Sequence, residues 1–222
     1  MPSEGIALRD PPVEADRLPP MIVPSRTALV IVDAQEDFIG PTGVHARLGF
    51  DMSAVEAPLA NVVRLAEAAR RAGATVVFPR VVTTPETDSE ALKLLARRKG
   101  RSENSIAICR EGTPGADYYG IRPQEGDIEI AKVLFSSFQG TDLEQQLKAK
   151  GVDTLVMTGF TTDCCVDCTA RDAFHRNFSV FVVVDACAAF GDGLHVGALN
   201  GLAKNCALLV ETDSVVKAWS GT

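Results

Sequence analysis

The chain has 222 residues, 46% of them hydrophobic and 23% charged, enough for one large domain whose core needs neither disulfides nor a structural metal. Its 22 basic and 29 acidic residues leave a formal charge of −7, and no basic run exceeds Arg97-Arg98-Lys99, which argues against nucleic acid as a partner. No segment is apolar over the ~18 residues of a bilayer span and the first stretch has no signal-peptide core, so the expected setting is cytoplasmic, away from membranes.

Six of the twelve prolines precede Ser25, so residues 1–24 are expected to form an extended arm, disordered or laid across another subunit. Residues 25–222 contain no internal repeat or linker and are expected to be one domain. Thr27 opens an apolar run that ends in a carboxylate, Asp33, and reads as a strand buried on both faces. Ser53 to Glu56 reads as a capping box, starting a helix that stops at Gly73. A strand follows from Thr75 to Phe78, then a helix from Asp88 or Ser89 to Lys99. Arg101 to Gly126 is rich in glycine and poorly patterned, which at this length points to a functional loop or an unrecognised element. Asp127 to Ala131 is a short strand that delivers Lys132, and Thr141 to Glu144 is a second capping box, with its helix ending at Gly151. The remaining pattern predicts strands at Thr154–Thr158, Val180–Val184 and Ala207–Val210, and helices at Cys165–Asn177 and Leu194–Asn205. Six strands alternating with helices predict an α/β fold, a doubly wound parallel sheet with helices on both faces.

In such sheets the ligand lies beyond the carboxyl ends of the strands. The residues there are Asp33, Phe78 to Arg80, Lys132, Gly159 to Cys165 and Asp185, which puts a carboxylate, an ammonium and thiols on one edge. A buried Asp or Lys is costly unless paired, and a cysteine beside both would have its ionisation tuned by them. Each residue alone fits a structural ion pair or a core cysteine; together they point to a site. Among Cys164, Cys165 and Cys168, Cys165 is the best nucleophile, because a thiol in the first turn of a helix faces free N–H groups that favour thiolate and could hold an oxyanion. Cys109, Cys187 and Cys206 read as small apolar filler.

Three ordered blocks resemble the isochorismatase-like cysteine hydrolases: Val32-Asp33-Ala34-Gln35-Glu36-Asp37-Phe38; Lys132 followed by Phe135-Ser136-Ser137-Phe138 and Gly140 to Leu143; and Gly159 to Val166 with Thr169-Ala170 and Asp172-Ala173. The resemblance implies a catalytic triad of Asp33, Lys132 and Cys165. It also implies a cis peptide at Phe160-Thr161 that aims the amides of Thr161 and Cys165 at a carbonyl oxygen. Gln35, Phe38 and Phe160 would then contact a small substrate. Family isochorismatases that cleave a vinyl ether lack the cysteine, so an amide or ureide substrate is implied, and Gly49 to Ser53 with Ala57-Pro58 look most like the biuret, triuret and ureidoacrylate hydrolases. Other amidases of the family, of the N-carbamoylsarcosine, maleamate or nicotinamide type, are the alternative. The nicotinamidase metal cluster has no counterpart, since no histidine lies between Ala46 and Phe174, so neither metal nor cofactor is expected. The resemblance and the Pro-rich arm favour a homodimer or homotetramer.

Two readings of another class compete. Cys165-Val166-Asp167-Cys168 is a C-x-x-C at a helix start, the arrangement of dithiol oxidoreductases, although it lacks the Trp-Cys-Gly-Pro context and comes late in the chain. A non-catalytic protein using the fold for binding is the other. His195 reads as a capping or core histidine, and His45 and His175 as surface or loop residues.

Overall fold

In a computed structural model describing residues 7–191 and 193–221, the run opened by Thr27 is β1 (Thr27–Val32), buried at every position. Leu29 and Ile31 enter one core while Ala28, Val30 and Val32 enter another, the two-sided burial of a central parallel strand. Downstream follow the single-turn helices α1 (Glu36–Ile39) and α2 (Val44–Arg47), then α3 (Ser53–Ala72), β2 (Thr75–Val81), α4 (Glu90–Arg98), β3 (Ile128–Lys132) and α5 (Leu143–Ala149). The second half contributes β4 (Thr154–Phe160), α6 (Asp167–His175), β5 (Ser179–Ala188), α7 (Leu194–Asn205), β6 (Leu208–Val210) and α8 (Thr212–Ser220). All neighbouring strands are parallel, in the order β3-β2-β1-β4-β5-β6. The chain therefore winds outward in one direction after β1 and in the other after β4, and the crevice between those two strand ends is the switch point where such sheets bind ligands.

Helices α3 and α8 cover the face that buries Leu29, Val62, Leu65 and Trp219; α5, α6 and α7 cover the face that buries Val30, Leu147, Ala170 and Leu202. Among the described residues no helix is long and apolar enough to cross a membrane.

Several boundaries differ from the sequence reading. Residues 7–23 form no helix or strand, as the prolines dictate, but they are not a detached arm. Leu18 and Ile22 are buried in the first core, Val13 N–H donates to Leu209 O (2.8 Å), and Trp219 Nε1–H donates to Ile22 O (2.9 Å). The apolar residues between the prolines hold the segment on its own chain; residues 1–6 lie outside the described residues. Neither capping box forms. Asp51 rather than Ser53 accepts at the start of α3, taking Ser53 N–H (3.0 Å) and its hydroxyl (2.7 Å), and Glu144 pairs with Lys148 and Arg176 instead of reaching back. The 101–126 stretch contains two short 3₁₀ turns, Glu103–Ile106 and Pro114–Ala116, and is tied to the sheet edge by single bridges at Thr83–Arg110 and Gln35–Tyr118. Strand β5 runs past Val184 to Ala188 because its register against β4 breaks between Met157 and Gly159. The loop so formed turns Asp185 away from the strand-end cluster, where it accepts from Asn61 and from Thr212.

Candidate active site

At the end of β1 the chain reverses through Asp33, whose φ of 51° lies in the left-handed region that Asp tolerates better than most side chains. The turn is held by Asp33 N–H donating to Pro79 O (3.0 Å) and Gln35 N–H donating to Asp33 O (2.9 Å). It points the carboxylate inward, where Lys132, the last residue of β3, reaches it: Nζ lies 2.7 Å from Oδ2 and both side chains are fully excluded from solvent. The ammonium also donates to Leu134 O (2.9 Å) and Phe135 O (3.0 Å), so all three of its hydrogens have acceptors. Asp33 Oδ1, by contrast, is buried with no hydrogen-bond partner. Burial raises the Asp33 carboxyl above its ordinary range, against the opposing pull of the Lys132 charge and of the nearby Cys165 thiol. Burial works to lower Lys132, but the charges of Asp33 and Cys165 outweigh it and hold the ammonium above its usual value.

The nucleophile turn follows β4. Gly159 has φ 117°, and a Cβ there would stand 2.1 Å from Val32 O, so only glycine lets β4 approach the end of β1 this closely. The Phe160–Thr161 peptide is cis. The chain then makes a π-helical turn, Thr162–Val166, before α6 begins at Asp167, where the sequence reading started an α-helix at Cys165. Thr161 O accepts from both Cys164 N–H and Val166 N–H (3.2 Å each), and Cys165 O accepts from the Thr169 hydroxyl (2.6 Å). Ser137 N–H donates to that same hydroxyl (3.1 Å), which fastens the loop after Lys132 to the turn that carries Cys165.

Cys165 is buried beside Asp33, and its thiol is pushed well above its ordinary 9.0, first by a hydrogen bond with the Cys164 thiol, then by burial and the Asp33 charge. The Lys132 charge pulls the other way and is outweighed, because that ammonium is already committed to Asp33 and two carbonyls. The raised pKa favours a protonated thiol at Cys165 over the thiolate that a helix start suggests. Its thiol neighbour is Cys164 rather than Cys168, which gives the C-x-x-C reading no support.

Cys165 opens onto a cavity of about 380 Å³ between the strand ends and the segments that follow β1, β2, β3 and β5. Phe38 lines this cavity, as the resemblance implies. Two other implied contact residues do not. Gln35 is fully buried and its amide is used internally, Oε1 accepting Val81 N–H (2.7 Å) and Nε2 donating to Val81 O (2.8 Å) and Ala116 O (2.9 Å). Phe160 is fully buried in the core beneath α3, because side chains alternate along β4 and its turn falls to that face.

Sequence reasoning missed the roles of three residues of the surround. Asp37 is buried and accepts from Cys109 N–H (2.7 Å) and Val44 N–H (3.0 Å), joining two loops of the cavity wall; the signal was an acid set among Phe38 and Ile39 one turn past Asp33. His45, expected at the surface, is on the cavity wall. His195, from α7, hydrogen-bonds the Thr162 hydroxyl through Nδ1 (2.8 Å) and so braces the π turn. Among the described residues, no three His, Cys, Asp or Glu side chains are grouped to hold a metal ion.

Comparison with known proteins agrees with this fold. Residues 27–214 match the family model described as the isochorismatase domain. The ureidoacrylate amidohydrolase RutB of Methylobacterium radiotolerans is 34% identical over 192 residues, covering 81% of this chain and 74% of the relative. A cysteine hydrolase from Pseudomonas syringae pv. phaseolicola superposes with a TM-score of 0.79 at 27% identity, covering 96% of this chain and 99% of that one. N-carbamoylsarcosine amidase from Thermoplasma acidophilum superposes with a TM-score of 0.68 at 29% identity, covering 85% and 97%. With the matched span and the fold in agreement, the chain belongs to the isochorismatase family.

Proposed function

We propose that this isochorismatase-family amidohydrolase cleaves a C–N bond of a small ureide, carbamoyl compound or amide through a thioester on Cys165. The observation that carries the reading is the meeting of three groups from three strand ends: Asp33 with one oxygen on Lys132 and the other unbonded, and the Cys165 thiol beside it at the foot of a cavity. Asp33 takes the thiol proton as sulfur adds to the substrate carbonyl, and its raised carboxyl pKa brings it nearer to the range in which proton transfer is efficient. Lys132 keeps the pair charged and correctly placed. The amides of Thr161 and Cys165 hold the oxyanion of the tetrahedral intermediate. Asp33 returns the proton to the departing nitrogen, ammonia or an amine leaves, and water then cleaves the thioester with Asp33 again accepting a proton.

The ureidoacrylate amidohydrolase and N-carbamoylsarcosine amidase relatives support a ureido or carbamoyl substrate. The test is ammonia release from a panel of ureides, carbamoyl acids and simple amides, combined with intact-mass detection of an acyl adduct that maps to the peptide containing Cys165. Ammonia release without an adduct in rapidly quenched samples, together with an active Cys165→Ala variant, would overturn the covalent reading.

A further inference from the structure

The cavity over Cys165 is walled by an aromatic group that the catalytic steps leave unused. His45 sits at its centre, with ring centroids 5.4 Å from Phe38, 5.1 Å from Phe50 and 5.2 Å from Phe190, and Phe50 stacks on Phe190 at 5.1 Å. His45 Nδ1 lies 3.1 Å from Phe38 O. A carbonyl oxygen can only accept, so Nδ1 carries a proton; burial lowers the pKa of this ring, which keeps it neutral and leaves Nε2 as a bare acceptor. Nε2 has no partner among the described residues, and the ring that bears it faces the cavity.

The rest of the wall is largely apolar, with Val44, Leu48, Leu92, Ile106 and Ile108 beside the hydroxyls of Ser105 and Thr161. The charged side chain on it is Asp163, which is exposed at the mouth; among the described lining residues none is Lys or Arg, and Lys132 is sealed behind Asp33 with its donors occupied. A carboxylate-bearing substrate would enter past a like charge and lose water to an apolar wall. The volume of about 380 Å³ falls within the ~300–1,000 Å³ of small-molecule sites, leaving room for a substituent beyond the ureido group.

We infer that this cavity selects an uncharged ureide or amide with an apolar substituent, oriented by an N–H group that donates to His45 Nε2. The inference rests on the amidohydrolase reading above and sharpens its substrate class, away from the acids named for the relatives. His45 is a specificity residue, since it acts on the N–H of the nitrogen that stays on the carbonyl rather than on the carbonyl or the leaving group. For a monosubstituted urea R–NH–CO–NH₂, Cys165 sulfur bonds the carbonyl carbon, the C–NH₂ bond breaks and ammonia leaves with the thiol proton. Water then releases R–NH–COOH and restores the thiol.

Wild-type enzyme decides the charge preference: ammonia release is compared between 3-ureidoacrylate and its methyl ester. The ester is expected to have a kcat/KM at least ~10-fold higher, and Asp163→Asn to narrow the gap. The hydrogen bond is tested by a substrate–enzyme cycle with phenylurea and N-methyl-N-phenylurea, in wild type and in His45→Phe, which keeps an aromatic ring but removes the acceptor. Methylation should lower kcat/KM by ~10-fold or more in wild type and by much less in His45→Phe. A preference for the free acid would overturn the inference while leaving the amidohydrolase reading in place; an equal methylation penalty in both enzymes would remove His45 from it, even if the variant were partly unfolded. Release from none of the four compounds, nor from the wider panel, would sink the amidohydrolase reading and this inference with it.

Discussion

Lys132 Nζ and Asp33 Oδ2 are 2.7 Å apart and fully buried although 99 residues separate them in the chain. Removing either charge strands the other in an apolar surround, which typically costs ~3–5 kcal/mol. Lys132→Met is therefore expected to lose about that much stability in denaturant titration, and adding Asp33→Asn should restore a good part of it. A single variant as stable as wild type would show that water reaches the pair.

The same pair sets an alkaline signature. The folded protein holds Lys132 protonated above its ordinary 10.5, so between that value and the folded one the native state binds more protons than the unfolded state. Stability contributed by Lys132 is fully present below 10.5 and is lost as pH rises through the folded value. Wild type should accordingly lose stability above pH 10.5 more steeply than Lys132→Met, as measured by urea midpoints across that range.

The free enzyme keeps Cys165 as a thiol, whereas the hydrogen bond it shares with Cys164 pulls that neighbour below 9.0. Iodoacetamide at neutral pH should label Cys164 before Cys165, with peptide mass spectrometry counting each adduct. Faster labelling of Cys165 would mean that thiolate forms before substrate binds, and would return Lys132 to the role of activating sulfur directly.

Activity should separate the cysteines further. Cys165→Ala is expected to fold normally and to lose at least ~10³-fold in ammonia release, while Cys164→Ser and Cys168→Ser keep most of it. Equal losses in Cys165→Ala and Cys168→Ser, with a need for a thiol reductant, would favour the dithiol mechanism instead.

Gln35→Ala offers a contrast between framework and contact. The substitution leaves Val81 N–H, Val81 O and Ala116 O buried without partners, so a loss of about 3 kcal/mol or more is expected. A residue that touched substrate would raise KM with little change in stability, and that outcome would reopen the assignment.

Most of the strands were legible because they are short apolar runs rich in β-branched and aliphatic residues, and the candidate site because Asp33 and Lys132 end two strands while Cys165 follows a third. What the sequence concealed was orientation. Gln35 lies two residues from Asp33, yet its amide answers to backbone groups 46 and 81 residues away. Phe160 was placed by strand alternation, which fixes its face only once the end of β4 is known. The helices α1 and α2 are single turns, too short to show a period, and α8 was passed over although Val215, Ala218 and Trp219 are spaced to bury one face. His45 read as a loop residue because three phenylalanines from different parts of the chain make its surround.

Gly159 does not line the cavity, yet it sets the spacing between Asp33 and Cys165. A methyl group there would have to push β4 off the backbone at Val32, one residue before Asp33, and Cys165 would move with β4. This position gives the site an internal ruler: its smallest residue fixes how near the end of β4 comes to the end of β1, and with it the distance over which the proposed proton transfer from Cys165 to Asp33 would run. Variation at Gly159 would thus be paid in turnover long before it is visible in the binding of substrate.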